Sequence, residues 1–172
     1  GNDPMLVLED ADLERATNGA AWAGYQNAGQ RCGGVERVYV VDAVYDQCVD
    51  LLAKKTRQLR HGVGCNAFNV YIGSLTTAGH LRTVQQHLED ALAKGARIEA
   101  QSRPVGNVEN GFFHPATLLT NVTDDMLTMC DETFGPLIAV QRVANEEEAI
   151  RKANESKLAL TSSVWTKNNK RG

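Results

Sequence analysis

Glu36-Arg37-Val38-Tyr39-Val40-Val41 is a run of β-branched and aromatic residues, the side chains that suit a pleated, half-buried surface. Asp42 follows, a residue able to cap a helix, and residues 44–59 carry Leu51, Leu52 and Lys55 at the spacing of helical turns. A strand running directly into a helix is the building unit of a parallel sheet, because parallel neighbours need a long crossover between them. The same unit occurs upstream. Met5-Leu6-Val7-Leu8 is short and apolar, and Glu9-Asp10-Ala11-Asp12 then places carboxylates where the positive end of a helix favours them. The predicted helix, residues 11–25, carries Leu13, Ala16, Ala20, Ala21 and Ala23 on or near one face. Downstream, residues 78–94 show helical spacing in Leu81, Val84, His87 or Leu88 and Leu92, stop at Gly95 and lead into the strand-like Ala96-Arg97-Ile98-Glu99. Residues 112–120, 137–143 and 160–166 read as extended, and a charged helix with Glu146-Glu147-Glu148 in its first turn fills residues 145–154. Strands alternating with helices predict an α/β fold: an open, largely parallel twisted sheet with helices on both faces. Residues 61–77 and 102–111 lack a clear period and are expected to be surface connections.

Composition narrows the function classes. With 172 residues and 42% hydrophobic content, the chain can bury one sizeable core. Its net charge of −3, from 18 basic and 21 acidic residues, gives no polyanion-binding face, so nucleic acid is not an expected partner. No apolar run has the length of a membrane span and the start has no signal-peptide character, which makes a cytoplasmic protein the expectation. Cys32, Cys48, Cys65 and Cys130 are too few and too widely spaced for a disulfide framework or a paired-cysteine zinc site, and reduced thiols are expected. His61, His80, His87 and His114 share no metal-ligand spacing.

One cysteine has neighbours that suggest chemistry. In Tyr25-Gln26-Asn27-Ala28-Gly29-Gln30-Arg31-Cys32-Gly33-Gly34 a helix runs out into a loop where a lone thiol is flanked by glycines. Such a thiol is accessible, and an adjacent backbone amide could face an oxyanion formed at an attacked carbon. Locally, a tight turn with a small cysteine in it explains the same residues, and that is the preferred reading without further information. Glu132 could equally be an exposed carboxylate, and Phe134-Gly135-Pro136 a buried anchor and turn.

Resemblance changes the balance. Asn27-x-Gly29-Gln30-x-Cys32, with Arg37 five residues on and a strand directly after, resembles the nucleophile segment of the aldehyde dehydrogenase superfamily. Glu132-Thr133-Phe134-Gly135-Pro136 is similar to that family's Glu-x-Phe-Gly-Pro motif. Ordered matches at Leu8 to Leu13, Lys94-Gly95-Ala96, Gly111-Phe112-Phe113, Pro115-Ala116-Thr117-Leu118-Leu119 and Ser163-Val164-Trp165-Thr166 extend the likeness over essentially the whole chain. The resemblance implies that Cys32 attacks an aldehyde as a thiolate, giving a thiohemiacetal whose alkoxide the Cys32 amide helps to hold. Loss of hydride to NAD or NADP gives a thioester, which water hydrolyses to the acid. It further implies that Glu132 hydrogen-bonds the nicotinamide ribose and that Phe134 packs near that end of the cofactor. Asn27 and Gln30 are expected to hold the loop, and Arg37 to serve strand packing or an ion pair.

On this resemblance residues 1–172 form the nucleophile-bearing part of a catalytic domain, incomplete at both ends. The dinucleotide-binding domain lies outside the sequence, and so does the general base, the glutamate of a Glu-Leu-Gly-Gly-like motif whose last glycine Gly1 resembles. Little dehydrogenase activity is expected of this stretch alone. The substrate is expected to be a small-molecule aldehyde, with a lean towards semialdehydes, and the full-length protein to be a homo-oligomer. Departures from the family pattern are Cys130-Asp131, Leu158-Ala159-Leu160 and the lean Gly33-Gly34, which could loosen the nucleophile loop. A scaffold or subunit module that keeps the fold without catalysis is the alternative. A cysteine hydrolase or acyltransferase would need a histidine brought to Cys32 by folding.

Overall fold

Asp12 accepts a hydrogen bond from the Arg15 amide (3.1 Å), so the first helix starts where the acidic run ends. The computed structural model describes residues 1–64 and 69–172, and Cys65 lies outside the described residues. Strand β1 (Asp3–Val7) leads to helix α1 (Leu13–Tyr25), and β2 (Val35–Val41) to α2 (Tyr45–Gln58). There follow β3 (Arg60–Gly62), α3 (Ala78–Ala93), β4 (Arg97–Gln101), β5 (Arg103–Val105), β6 (Thr117–Thr120), α4 (Leu127–Cys130), β7 (Leu137–Val143), α5 (Glu146–Asn154) and β8 (Ser163–Trp165).

Six strands form one sheet in the order β4-β6-β7-β2-β1-β8. Every pairing in it is parallel except the antiparallel contact of β4 with β6. Val35–Val41 is buried along its whole length, as a central strand covered on both faces should be. Alternate strand residues feed two cores. Met5, Val7, Val38, Val40, Leu118, Ile138 and Val140 meet Ala16 and Ala20 of α1, Leu52 of α2 and Val84 of α3. Leu6, Leu8, Tyr39, Val41, Leu119 and Val143 meet Met129 of α4, Ala149 of α5 and Ala91 of α3. The expected α/β sheet with helices on both faces is the fold observed.

Local readings differ in three places. Asp42 does not cap α2: it opens a 3₁₀ turn (Asp42–Val44), and its carboxylate accepts from Arg142 Nη1 of β7 at 2.6 Å. A charge pair across neighbouring strands outcompetes the local cap. The connections at 61–77 and 102–111 are not wholly irregular, because the three-residue strands β3 and β5 pair in parallel and His61 bridges Ile72. Ile72 and Leu75 are buried there. Strands of three residues are too short to leave a period. The four-residue α4 escaped notice for the same reason. Among the described residues no helix is long and apolar enough to cross a membrane.

Candidate active site

Sheet topology brings the two chief motifs together. Cys32 stands just before β2, and Glu132 to Pro136 stand just before β7; these strands are parallel neighbours, with Arg37 opposite Ala139. Gly1-Asn2 immediately precedes β1, which flanks β2 on its other side. Three segments distant in sequence therefore open at the same, amino-terminal edge of the sheet. Asn2 joins them, since its Nδ2 donates both to Glu36 Oε2 at 2.8 Å and to the carbonyl of Asp131, the neighbour of Glu132, at 3.1 Å.

The turn that presents Cys32 is tightly built. After α1, Asn27 (φ 55°), Ala28 (φ 57°) and Gly29 (φ 71°) all adopt left-handed backbone, which is costly for Ala28. Side chains stabilise the turn. Asn27 Nδ2 donates to the Gln30 carbonyl (3.1 Å), and Gln30 Nε2 donates to that of Asn27 (3.0 Å). Gln30 Oε1 accepts from the amide (2.9 Å) and the hydroxyl (2.7 Å) of Thr76. The loop-holding role expected of Asn27 and Gln30 is what these contacts describe. Gly34 closes the turn onto the Arg31 carbonyl at 3.1 Å, and a Cβ there would sit 3.1 Å from that same oxygen. Gly34 is thus held in the turn, while a Cβ at Gly33 would have Thr161 as its nearest neighbour at an ordinary 3.5 Å. Cys32 is exposed, and among the described residues its amide N–H has no acceptor.

The other described thiols sit in poorer settings for a nucleophile. Cys48 is buried in the core, and burial pushes its thiol up to about 12. Cys130 is exposed, but partial burial and then the Asp131 carboxylate raise it above the ordinary range.

The second motif packs backbone to backbone on the first. A Cβ added at Gly29 would overlap the Gly135 carbonyl. Glu132 keeps about a third of its side chain exposed. Phe134 is half-buried at φ 50°, another left-handed non-glycine, with its ring 5.7 Å from that of His80. The backbone around Glu132 is held from inside the protein by Glu36, which the sequence reading treated only as part of a strand. Its Oε1 accepts from the Phe134 amide (2.8 Å), and its Oε2 accepts from the Thr133 amide (3.0 Å) and Asn2 Nδ2 (2.8 Å). Burial outweighs these donors and raises the Glu36 carboxyl to about 7. A carboxylate at the head of a run of β-branched and aromatic residues was the available signal.

Arg37 is buried and points elsewhere. It donates to the Asn2 carbonyl (2.8 Å), the Tyr39 hydroxyl (3.0 Å) and the Lys152 and Ala153 carbonyls near the end of α5. Of its two expected roles, the packing one is observed; among the described residues no carboxylate pairs with it. Beside Cys32, the Arg31 guanidinium lies 4.6 Å from the ring of the exposed Trp22 and pairs with Gln26. A hollow of about 370 Å³ adjoins them, lined in part by Trp22, Gly33, Thr161 and Trp165. His61 meets Ser102 (2.8 Å), His87 meets Thr133 (3.0 Å) and His114 meets the Pro115 carbonyl (2.8 Å); none of these three bonds to Cys32.

A largely parallel α/β sheet thus carries an exposed thiol and a Glu-x-Phe-Gly-Pro loop at the same edge. The sequence model of the aldehyde dehydrogenase family matches residues 1–172, and the chain belongs to that family. It is 38% identical over 165 residues to a Mycobacterium ulcerans protein named as an NADP(+)-type succinate-semialdehyde dehydrogenase, covering 96% of this chain and 32% of the relative. Lactaldehyde dehydrogenase from Escherichia coli superposes with a TM-score of 0.91 at 35% identity, over 99% of this chain and 35% of that one. Betaine aldehyde dehydrogenase from Staphylococcus aureus, in complex with NAD+, superposes with a TM-score of 0.92 at 29% identity, over 99% and 34%. The chain thus spans about a third of the length of these relatives.

Proposed function

We propose that residues 1–172 are the nucleophile-bearing part of the catalytic domain of an NAD(P)-dependent aldehyde dehydrogenase, and that Cys32 is its nucleophile. The observation that carries the reading is that the Cys32 turn and the Glu132 loop precede neighbouring parallel strands and touch at Gly29 and Gly135, with the Cys32 thiol exposed. On this reading the Cys32 sulfur adds to the carbonyl carbon of a bound aldehyde, and the Cys32 amide N–H donates to the alkoxide that results. When bound, the oxidised nicotinamide supplies the two-electron acceptor for the hydrogen that leaves the former aldehyde carbon. Water then cleaves the thioester, releasing the carboxylic acid and returning the thiol to Cys32.

Glu132 and Phe134 fit one end of such a cofactor. A carboxylate can accept from both ribose hydroxyls, and Glu132 is partly exposed on the loop that packs against the Cys32 turn, two residues before the half-buried Phe134. With the chain spanning about a third of its relatives' length, the general base and the remaining dinucleotide contacts belong on this reading to other parts of the protein. Semialdehydes are the proposed substrate class, following the names of the relatives.

The test is turnover by the full-length protein with succinate semialdehyde and either NAD or NADP. Cofactor reduction is expected, with Cys32→Ala lowering kcat by about 10³-fold or more. A variant that keeps the wild-type rate, or a wild type without turnover on any small aldehyde, would instead favour a scaffold that retains only the fold.

A further inference from the structure

We propose that Glu36 is a positioning residue: its buried carboxylate clamps the loop carrying Glu132 so that this loop is held in register with the Cys32 turn. The inference rests on the cofactor role assigned to Glu132 above. Glu36 is only 5% exposed, on the central strand β2 four residues after the nucleophile. Its two oxygens take the amides of Thr133 and Phe134, the two residues that follow Glu132. The third donor to Glu36 is Asn2, whose same amide nitrogen also donates to the carbonyl of Asp131 (3.1 Å), the residue before Glu132. The backbone on both sides of Glu132 is therefore tied to one buried pair, while the Glu132 side chain itself remains partly exposed.

Two features make the clamp specific to this loop. Phe134 holds φ at 50°, a conformation that needs support from its surroundings, and its amide is one of the two that Glu36 binds. The strand bearing Glu36 begins three residues after Cys32, so a single rigid element sets the position of the thiol and of the carboxylate. Loosening the clamp should move Glu132 and leave the Asn27, Gln30 and Thr76 contacts of the thiol turn intact.

Glu36→Gln, assayed at about pH 8, above the value near 7 where the wild-type carboxyl ionises, is the sharp variant: it keeps the shape but turns one acceptor oxygen into a donor, which must then face one of the two amide hydrogens. In the full-length protein, amide hydrogen exchange at Thr133 and Phe134 is expected to quicken at least about 10-fold, with exchange in β2 and β7 unchanged. The KM for NAD or NADP is expected to rise about 10-fold, with the rate of Cys32 alkylation unchanged and Glu36→Asp restoring part of the loss. Unaltered exchange and cofactor KM would overturn the proposal. So would a uniform loss, in which aldehyde KM, kcat and Cys32 alkylation fall off together with the cofactor KM. Should Glu36→Gln fail to fold, Asn2→Ser removes the Asn2 ties to Glu36, Thr128 and Asp131 but leaves both Glu36–amide bonds, and is expected to show the same selective pattern, more weakly. If the wild type has no dehydrogenase activity, the cofactor reading fails, while the exchange rates still decide whether Glu36 clamps the loop.

Discussion

Gly29 lies with its α-carbon against the carbonyl of Gly135, so close that a methyl group there would overlap it, and this contact joins the nucleophile turn to the Glu132 loop. Gly29 also stands at φ 71°, where an L side chain is strained. Backbone cannot yield as a flexible side chain can. Gly29→Ala is therefore expected to cost about 2–4 kcal/mol in urea unfolding. Gly33→Ala is the contrast. Its added Cβ would meet Thr161 at an ordinary 3.5 Å and no positive φ opposes it, so a change within about 0.5 kcal/mol is expected. Equal costs at the two positions would contradict the packing described.

Thiol chemistry should sort the cysteines by environment. Raising Cys48 from an ordinary 9 to about 12 cuts its thiolate fraction at neutral pH about 10³-fold, and burial hinders the reagent as well. Peptide mass spectrometry after brief iodoacetamide treatment of the native protein is expected to find Cys32 modified and Cys48 intact. Modification of Cys48 at the rate of Cys32 would remove the thiol turn from consideration as a reactive site.

Arg37 shows what a buried cation needs when no carboxylate is at hand. Its guanidinium reaches the Asn2 carbonyl, the Tyr39 hydroxyl and the carbonyls closing α5, a helix end where positive charge is favoured. A lysine ammonium is a point charge and cannot span acceptors just before β1, on β2 and on α5 together. Arg37→Lys is expected to lower stability by about 2–3 kcal/mol, read as an earlier urea midpoint with the slope retained. A midpoint within error of the wild type would show those contacts to be dispensable.

The division between what was legible in the sequence and what was not follows element length and range. Val35–Val41 and the helices flanking it could be read because their periods run for several turns or alternations. The strand pair β3–β5 could not, having three residues a side. At the candidate site, Cys32, Glu132 and Phe134 were singled out by motif resemblance, and the sheet order brings their segments to one edge: both motifs precede adjacent parallel strands. Glu36 was missed because its partners are backbone amides 97 and 98 residues away, which no local spacing announces. Asp42 misled because its competitor for the cap, Arg142, is as distant in sequence.

Glu36 also gives the protein a pH signature whose sign is fixed. Its carboxyl is raised from 4.5 to about 7 by burial, with the Thr133 amide, Asn2 and the Phe134 amide opposing and the Glu132 charge adding to the rise. Between those values the folded state holds a proton that the unfolded chain has released. The contribution is thus fully present below about pH 4.5 and is lost as pH climbs through 7, on the order of 3 kcal/mol across the window. His61, His87 and His114 act in the other direction: burial lowers each below 6.5, so their protonation on acidification favours unfolding. His87 is the nearest of these to the clamp, through the Thr133 hydroxyl. The wild-type curve alone mixes the two slopes, and a difference measurement separates them. Subtracting the unfolding free energy of Glu36→Gln from that of the wild type at each pH cancels the histidines. The difference is expected to fall steadily from pH 4.5 to 7 and then level off; a flat or rising difference would mean that Glu36 is ionised throughout and that its three donors outweigh its burial.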